Sequence, residues 1–264
     1  MLALLGAASL LAACGPPSDD AARAAESALA GSEDTGPAAL VLVAGATGRT
    51  GRRVVAQLLQ RGYSVRAFVR DADSARARLG DDPQYVVGDV RQPEVLATAF
   101  KDVDAVISAI GASGRAQDPG NTPEAVDYNG VRSLVDGARS AGVSRFVLVS
   151  SMGVTMKDHP LNQMFDDVLK WKFRGEEYLR ASGMPYTIIR PAGLTEDFAG
   201  TAGIRLSVED GDGGYIPRAD VATVCIEALQ SDTALNKTFS IFSDPDQPRG
   251  DDWAARFATI PTDR

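Results

Sequence analysis

From Ala38 onward two kinds of hydrophobic pattern alternate along the chain. Short continuous apolar runs, of which Leu40-Val41-Leu42-Val43 is the first, alternate with stretches whose apolar residues recur every three or four positions. A continuous run ended by glycine suits a strand covered on both faces, and the wider spacing suits a helix with one buried face. Val54, Val55, Leu58 and Leu59 predict such a helix over 51–61, stopped by Gly62. The same reasoning predicts strands at 64–69, 85–87, 105–109, 145–150, 186–189 and 239–242. Helices are predicted at 72–79, 93–100, 124–141, within 161–182, and at 218–229. Strands alternating with helices imply parallel βαβ units with right-handed crossovers. The expected fold class is therefore α/β: a doubly wound parallel sheet in a single domain, with a small C-terminal substrate lobe.

The first 36 residues do not share this pattern. Residues 1–13 are uncharged and mostly Leu and Ala. They are too few to cross a bilayer, which takes ~20 apolar residues, but they fit the apolar part of a secretory signal. Leu11-Ala12-Ala13-Cys14 resembles the bacterial lipoprotein box. That resemblance implies a leader over 1–14, lipidation at Cys14, and a protein anchored in the cell envelope on the periplasmic side. Nothing basic precedes Arg23, so an Ala/Leu-rich tail on a cytoplasmic protein stays open as the alternative. Residues 15–36, poor in large apolar groups, read as a flexible tether. Residues 37–243 form the expected folded domain, with 192–217 on its substrate side and 244–264 as a tail.

Composition narrows the function. The chain has 264 residues, a net charge of −8, two cysteines and one histidine. Two cysteines make no disulfide framework, and a lone His159 argues against a His-built metal site. An acidic chain is poorly suited to nucleic acid. Much of that acidity is peripheral, however. The tether holds Asp19, Asp20, Glu26, Glu33 and Asp34 against Arg23, and Asp244, Asp246, Asp251 and Asp252 face only Arg249. The expected partner is a small molecule, with no nucleic acid, and with membrane contact only through a lipid at Cys14.

The first strand runs into Gly45-Ala46-Thr47-Gly48-Arg49-Thr50-Gly51 and then a helix. Glycines there permit a tight turn, close approach of backbone to a pyrophosphate and close helix–sheet packing. The helix start adds N–H groups and positive partial charge. Gly45, Thr47, Gly48, Arg49, Thr50 and Gly51 are thus a candidate phosphate cradle. Their spacing, with Phe68-Val69-Arg70-Asp71, Gly88-Asp89-Val90, Arg145–Ser151, Lys172–Gly183 and Tyr186–Pro191, resembles the atypical short-chain dehydrogenase/reductase family. The resemblance is to its NAD(P)H-binding branch of flavin- and biliverdin-type reductases, which has the Rossmann fold. It covers about residues 38–242. It implies that Asp89 and Val90 meet the adenine, that Ala109, Ile110 and Gly111 run beside the nicotinamide ribose, and that Pro191 lies by the nicotinamide.

An arginine closing the second strand accommodates the 2′-phosphate of NADP, where an acid would select NAD. Arg70 closes it here, and Arg49 is close enough in the glycine turn to converge on the same group. NADP(H) is the expected cofactor, with NAD left open by the adjacent Asp71.

Ordinary short-chain dehydrogenases carry tyrosine four residues before an active-site lysine. The resemblance selects Lys172 as that lysine, and Val168 stands where the tyrosine belongs. Ser151 is the expected strand-end hydroxyl, so Ser151 and Lys172 are the candidate catalytic residues. Asp166, Asp167 and His159 are weaker surrogates, and Tyr178 falls on the opposite helix face. Hydride transfer is cofactor chemistry, and conjugated acceptors can take their proton from water. The expectation is an NADP(H)-dependent reductase of a quinone, flavin or similar acceptor. The alternative is a non-catalytic, cofactor-sensing protein.

Overall fold

A computed structural model describes residues 39–113, 118–211, 213–250 and 252–263. Cys14, the leader and the tether lie outside the described residues.

The expected alternation is present. In chain order the elements are β1 (Leu40–Ala44), α1 (Gly51–Gln60), β2 (Ser64–Val69), α2 (Ala72–Leu79) and β3 (Gln84–Val87), then α3 (Leu96–Ala99) after a 3-10 turn. β4 (Ala105–Ser108), α4 (Val131–Ser140), β5 (Arg145–Val149), α5 (Pro160–Met164), α6 (Val168–Ala181) and β6 (Tyr186–Pro191) follow. The chain ends with β7 (Gly193–Thr195), β8 (Gly203–Ser207), β9 (Tyr215–Pro217), α7 (Arg218–Gln230), β10 (Lys237–Asp244) and α8 (Trp253–Ala258).

Eight strands form one sheet in the order β3-β2-β1-β4-β5-β6-β10-β8, and β7 pairs with β9 beside it. Every neighbouring pair in the large sheet is parallel except β10 with β8. This is a single-domain, doubly wound α/β sheet. The strand order reverses between β1 and β4, and such a switch point opens a crevice beyond the carboxyl ends of the strands.

β1 is apolar throughout because its alternate residues feed two different cores. Val41 and Val43 pack with Val54, Val55 and Leu58 of α1 and with Val221 and Cys225 of α7. Leu42 and Ala44 pack on the other face with Phe100 and with Leu134 and Ala138 of α4. Burial pushes the Cys225 thiol up to about 12, so it is an inert core group.

Two local expectations need correction. The helix expected over 124–141 is π-helical from Glu124 to Gly130 before α4 begins. Gly175 of α6 packs against this wide turn so closely that a Cβ would lie 2.6 Å from the Asp127 carbonyl oxygen. The helix expected within 161–182 is α6; the short α5 precedes it across a break where Asp166 and Asp167 take left-handed φ values of 50° and 60°. β8 and β9, on either side of 210–214, do not pair with each other: β8 pairs with β10, and β9 pairs with β7. Asp210 instead accepts hydrogen bonds from the Gly153 and Thr155 N–H groups at 2.6 and 2.7 Å.

The expected tail is the second. Trp253, Phe257 and Ile260 are buried in the core that contains Phe239. The Phe239 and Phe257 rings lie 5.6 Å apart. Lys237 donates to the Phe257 carbonyl at 2.8 Å, meeting the negative end of α8. Asp- and Pro-rich spacing around 244–252 hid an apolar face only one and a half turns long.

Candidate functional site

The glycine turn is built by contact. Gly45 has φ +77°, and a Cβ there would lie 2.6 Å from the Ala109 carbonyl oxygen. A Cβ at Gly51 would lie 2.1 Å from the Gly45 carbonyl oxygen. Only residues without side chains let β1, the first turn of α1 and the loop after β4 come together this closely. The Gly48 N–H donates to the Gly45 carbonyl at 2.9 Å, closing the turn.

A groove of about 180 Å³ lies at the switch point. It is lined by Gly45, Thr47 and Gly48 of the turn, by Arg70, Asp89 and Val90, and by Ala109, Ile110 and Gly111. Gly51 is buried beneath the turn. The buried Thr50 hydroxyl accepts a hydrogen bond from Arg218 at 3.2 Å. The cradle fits a dinucleotide: a concave, glycine-rich turn ending on a helix N-terminus is what a pyrophosphate needs.

Arg49 does not converge on the groove. It pairs with Glu196 just past β7, at 2.6 Å, alongside Arg53 at 2.5 Å, Arg218 at 2.9 Å and Arg52 at 3.8 Å. Arginines in a first helical turn oppose the helix dipole, and Glu196 supplies the compensating anion. Partial burial would raise the Glu196 carboxyl, yet hydrogen bonds from Arg49 and Arg218 bring it down to about 2. Arg70 stays at the groove, 62% exposed, with Asp118 at 4.0 Å.

Sequence reasoning missed Arg91, which also lines the groove. It grips Asp89 with two hydrogen bonds of 2.9 and 2.6 Å and reaches Asp118 at 2.8 Å. Those bonds hold the Asp89 carboxyl below its usual range. The signal was an arginine two residues after the acid that ends the third βα unit.

Near Gly111, Lys172 sits 2.6 Å from Asp127, whose side chain is fully buried in the π-helical turn. The second Asp127 oxygen accepts the Ala112 N–H at 3.0 Å. Asp127 was also missed. Its only sequence signal was an acid beside Val126, on a helix face otherwise apolar. Ser151 donates to the carbonyl of Met152 at 3.1 Å and borders a second cavity with Lys172 and Val168. Pro191 borders neither cavity; its carbonyl accepts the Met152 N–H at 2.9 Å. His159 uses its Nδ1 to cap α5 at the Leu161 N–H, 3.1 Å away. The Tyr178 hydroxyl donates to Asp136 at 2.7 Å, across from Lys172, and that bond pushes the phenol up. Among the described residues bordering the two cavities there is no tyrosine.

Comparison with known proteins gives a consistent picture. The profile of a family described as NAD(P)H-binding matches residues 45–232. Sanguinarine reductase of Eschscholzia californica is 33% identical over 245 residues, covering 78% of this chain and 89% of that protein. Among solved structures, a putative NAD-dependent epimerase/dehydratase from Bacillus halodurans superposes with a TM-score of 0.71. It is 28% identical, with 84% of this chain and 99% of that one covered. An anaerobillin reductase from Escherichia coli has a TM-score of 0.66 at 27% identity, with 79% and 99% covered.

Proposed function

The chain belongs to the NAD(P)H-binding family, and from that premise we propose that it is a reductase of a small conjugated acceptor, such as a quinone or flavin, using NADP(H). The observation that carries this reading is a second cavity next to the dinucleotide groove. Asn121 borders both, Lys172 and Val168 border the second, and Val168 stands where the resemblance puts a proton-donating hydroxyl. When bound, the dinucleotide supplies hydride. The protein's own part is binding, orientation and exclusion of water. Lys172, held by Asp127, is placed to hold ribose hydroxyls. Among the described residues bordering the two cavities none is a phenol, which favours acceptors whose reduced form is protonated from water. NADPH oxidation followed against a panel of quinones and flavins tests this. Tight NADPH binding with no turnover on any of them would remove it.

NADP(H) over NAD(H) rests on Arg70, with Arg91 behind it. A charge-assisted hydrogen bond contributes about 1.5–3 kcal/mol. Arg70→Glu is therefore expected to weaken NADPH binding roughly ten- to hundredfold and to leave NADH binding little changed. Equal loss for both dinucleotides in fluorescence titrations would assign Arg70 another role.

The cofactor-sensing alternative is favoured by one feature, the Glu196 cluster. It ties the glycine turn to the 193–217 segment, so that occupancy of the turn would be felt there. Binding without turnover is its signature. Envelope anchoring rests on residues 1–14. Metabolic palmitate labelling is expected in the wild type and not in Cys14→Ser; an unlabelled wild type would place the protein elsewhere.

A further inference from the structure

The break between α5 and α6 carries three features that cofactor binding does not use. Met164 and Phe165 are large apolar side chains left 68% and 52% exposed. Asp166 and Asp167, both with positive φ, follow directly. Left-handed backbone is disfavoured outside glycine, and it persists where the surroundings over-determine it. Here the buried Asn162 does so. Its side-chain oxygen accepts the Leu169 N–H at 2.9 Å, capping α6 from the preceding helix, and its carbonyl accepts the Asp167 N–H at 2.9 Å. The elbow is thus locked, and the lock turns two apolar side chains out of the core.

They do not face open surface alone. Met164 and Phe165 border a cavity of about 500 Å³, with Leu161, Val168 and Leu169. That volume is within the range of small-molecule sites. Ser151 and Lys172 border it too, and Asn121 borders both this cavity and the dinucleotide groove. Among the described residues that border it, Lys172 is the one cation, and it is paired with Asp127 at 2.6 Å. The described residues therefore offer a flat apolar ring hydrophobic contacts, and a phosphate no cation other than the paired Lys172.

We infer that this elbow is the specificity element of the acceptor site: Met164 and Phe165 clasp an uncharged, planar, fused-ring acceptor against Val168 and Leu169, so that unphosphorylated quinones are taken and phosphorylated flavins refused. This rests on the reductase reading above and selects between its acceptors. The two-electron reduction balances with hydride from the dinucleotide and one proton from water, giving the hydroquinone and the oxidised dinucleotide.

The test reads binding separately from turnover. Menadione and FMN are titrated against the whole protein by quenching of its tryptophan fluorescence, and NADPH by its own fluorescence. Menadione is expected to bind at least about tenfold more tightly than FMN. The Met164→Ala/Phe165→Ala double variant is expected to lose about fivefold or more in menadione affinity, as removal of an aromatic contact does, with NADPH affinity within about twofold. Val168→Trp, which fills the cavity, is expected to abolish menadione binding. FMN bound as tightly as menadione, or menadione affinity unchanged in both variants, would overturn the inference. If menadione binds as expected but NADPH is never oxidised, the elbow site stands and the reductase reading falls. If menadione is reduced equally well by every variant, the reductase reading stands and the elbow does not.

Discussion

Glu176→Ala is expected to cost the protein a large part of its stability, with a fall in Tm on the order of 10 °C. The Glu176 side chain is fully buried on α6. One of its oxygens accepts Arg190 Nε at 3.0 Å; the other accepts Arg190 Nη2 and Arg180 Nη2, each at 2.6 Å. Arg190 lies inside β6, 8% exposed, and its other acidic neighbour, Asp210, is 3.8 Å away. Removing the carboxylate strands a guanidinium in the interior. Breaking one side of a buried pair costs about 3–5 kcal/mol, against a total stability of about 5–15 kcal/mol for a typical domain. The same network fixes α6, and so Lys172, against the sheet. Urea unfolding of the variant measures the loss directly. Replacing both partners, as in Glu176→Leu with Arg190→Met, is expected to recover part of it, because the stranded charge is then gone. A loss below about 1 kcal/mol in the single variant would show that solvent reaches Arg190.

Gly51→Ala is the second large effect, and its target is the cofactor. The added Cβ would meet the carbonyl oxygen of Gly45 at 2.1 Å and its carbon at 2.8 Å, both backbone atoms of the same turn. No side chain can rotate out of the way, so α1 must shift relative to β1. Overpacking of this kind costs about 1–3 kcal/mol or more, and the displaced turn is the phosphate cradle itself. NADPH affinity is expected to fall by at least about a hundredfold. Gly45→Ala should be comparable, since it adds a positive φ to a 2.6 Å contact. Gly48→Ala, whose Cβ would lie 3.0 Å from the Gly45 carbonyl oxygen, should be milder. Gly213→Ala, with nothing within 4 Å, is the control. Undiminished NADPH binding by Gly51→Ala would mean that the dinucleotide does not lie on this turn.

Much of this was legible in residue order. The continuous apolar run of β1 and the spaced apolar residues of α1 are local signals, each explained by burial on two faces or one. The glycine triplet between them placed the groove, and Arg70, Asp89 and the stretch from Ala109 to Gly111 do line it. The elbow was not legible. The 161–182 pattern predicts a helix within that stretch but not the separate α5, and the elbow between them depends on Asn162 capping a helix that begins six residues later. Nor was the burial of 253–260 legible, because Trp253, Phe257 and Ile260, though at helical spacing, make too short a run after the acids and prolines of 244–252 to claim a place in the core.

By itself, then, the sequence determined the alternation of strands and helices, the turn that carries the cofactor, and the absence of tyrosine at position 168. Each of these is written in neighbours a few residues apart. The tertiary structure alone decided which charges meet. It drew Arg49 away from the groove to Glu196, 147 residues later, set Arg91 on Asp89 and Asp118, and buried Asp127 beneath Lys172. Pairing of that kind follows from where packed elements bring side chains together, and the Coulomb energy depends on a distance in space that the order of residues does not contain.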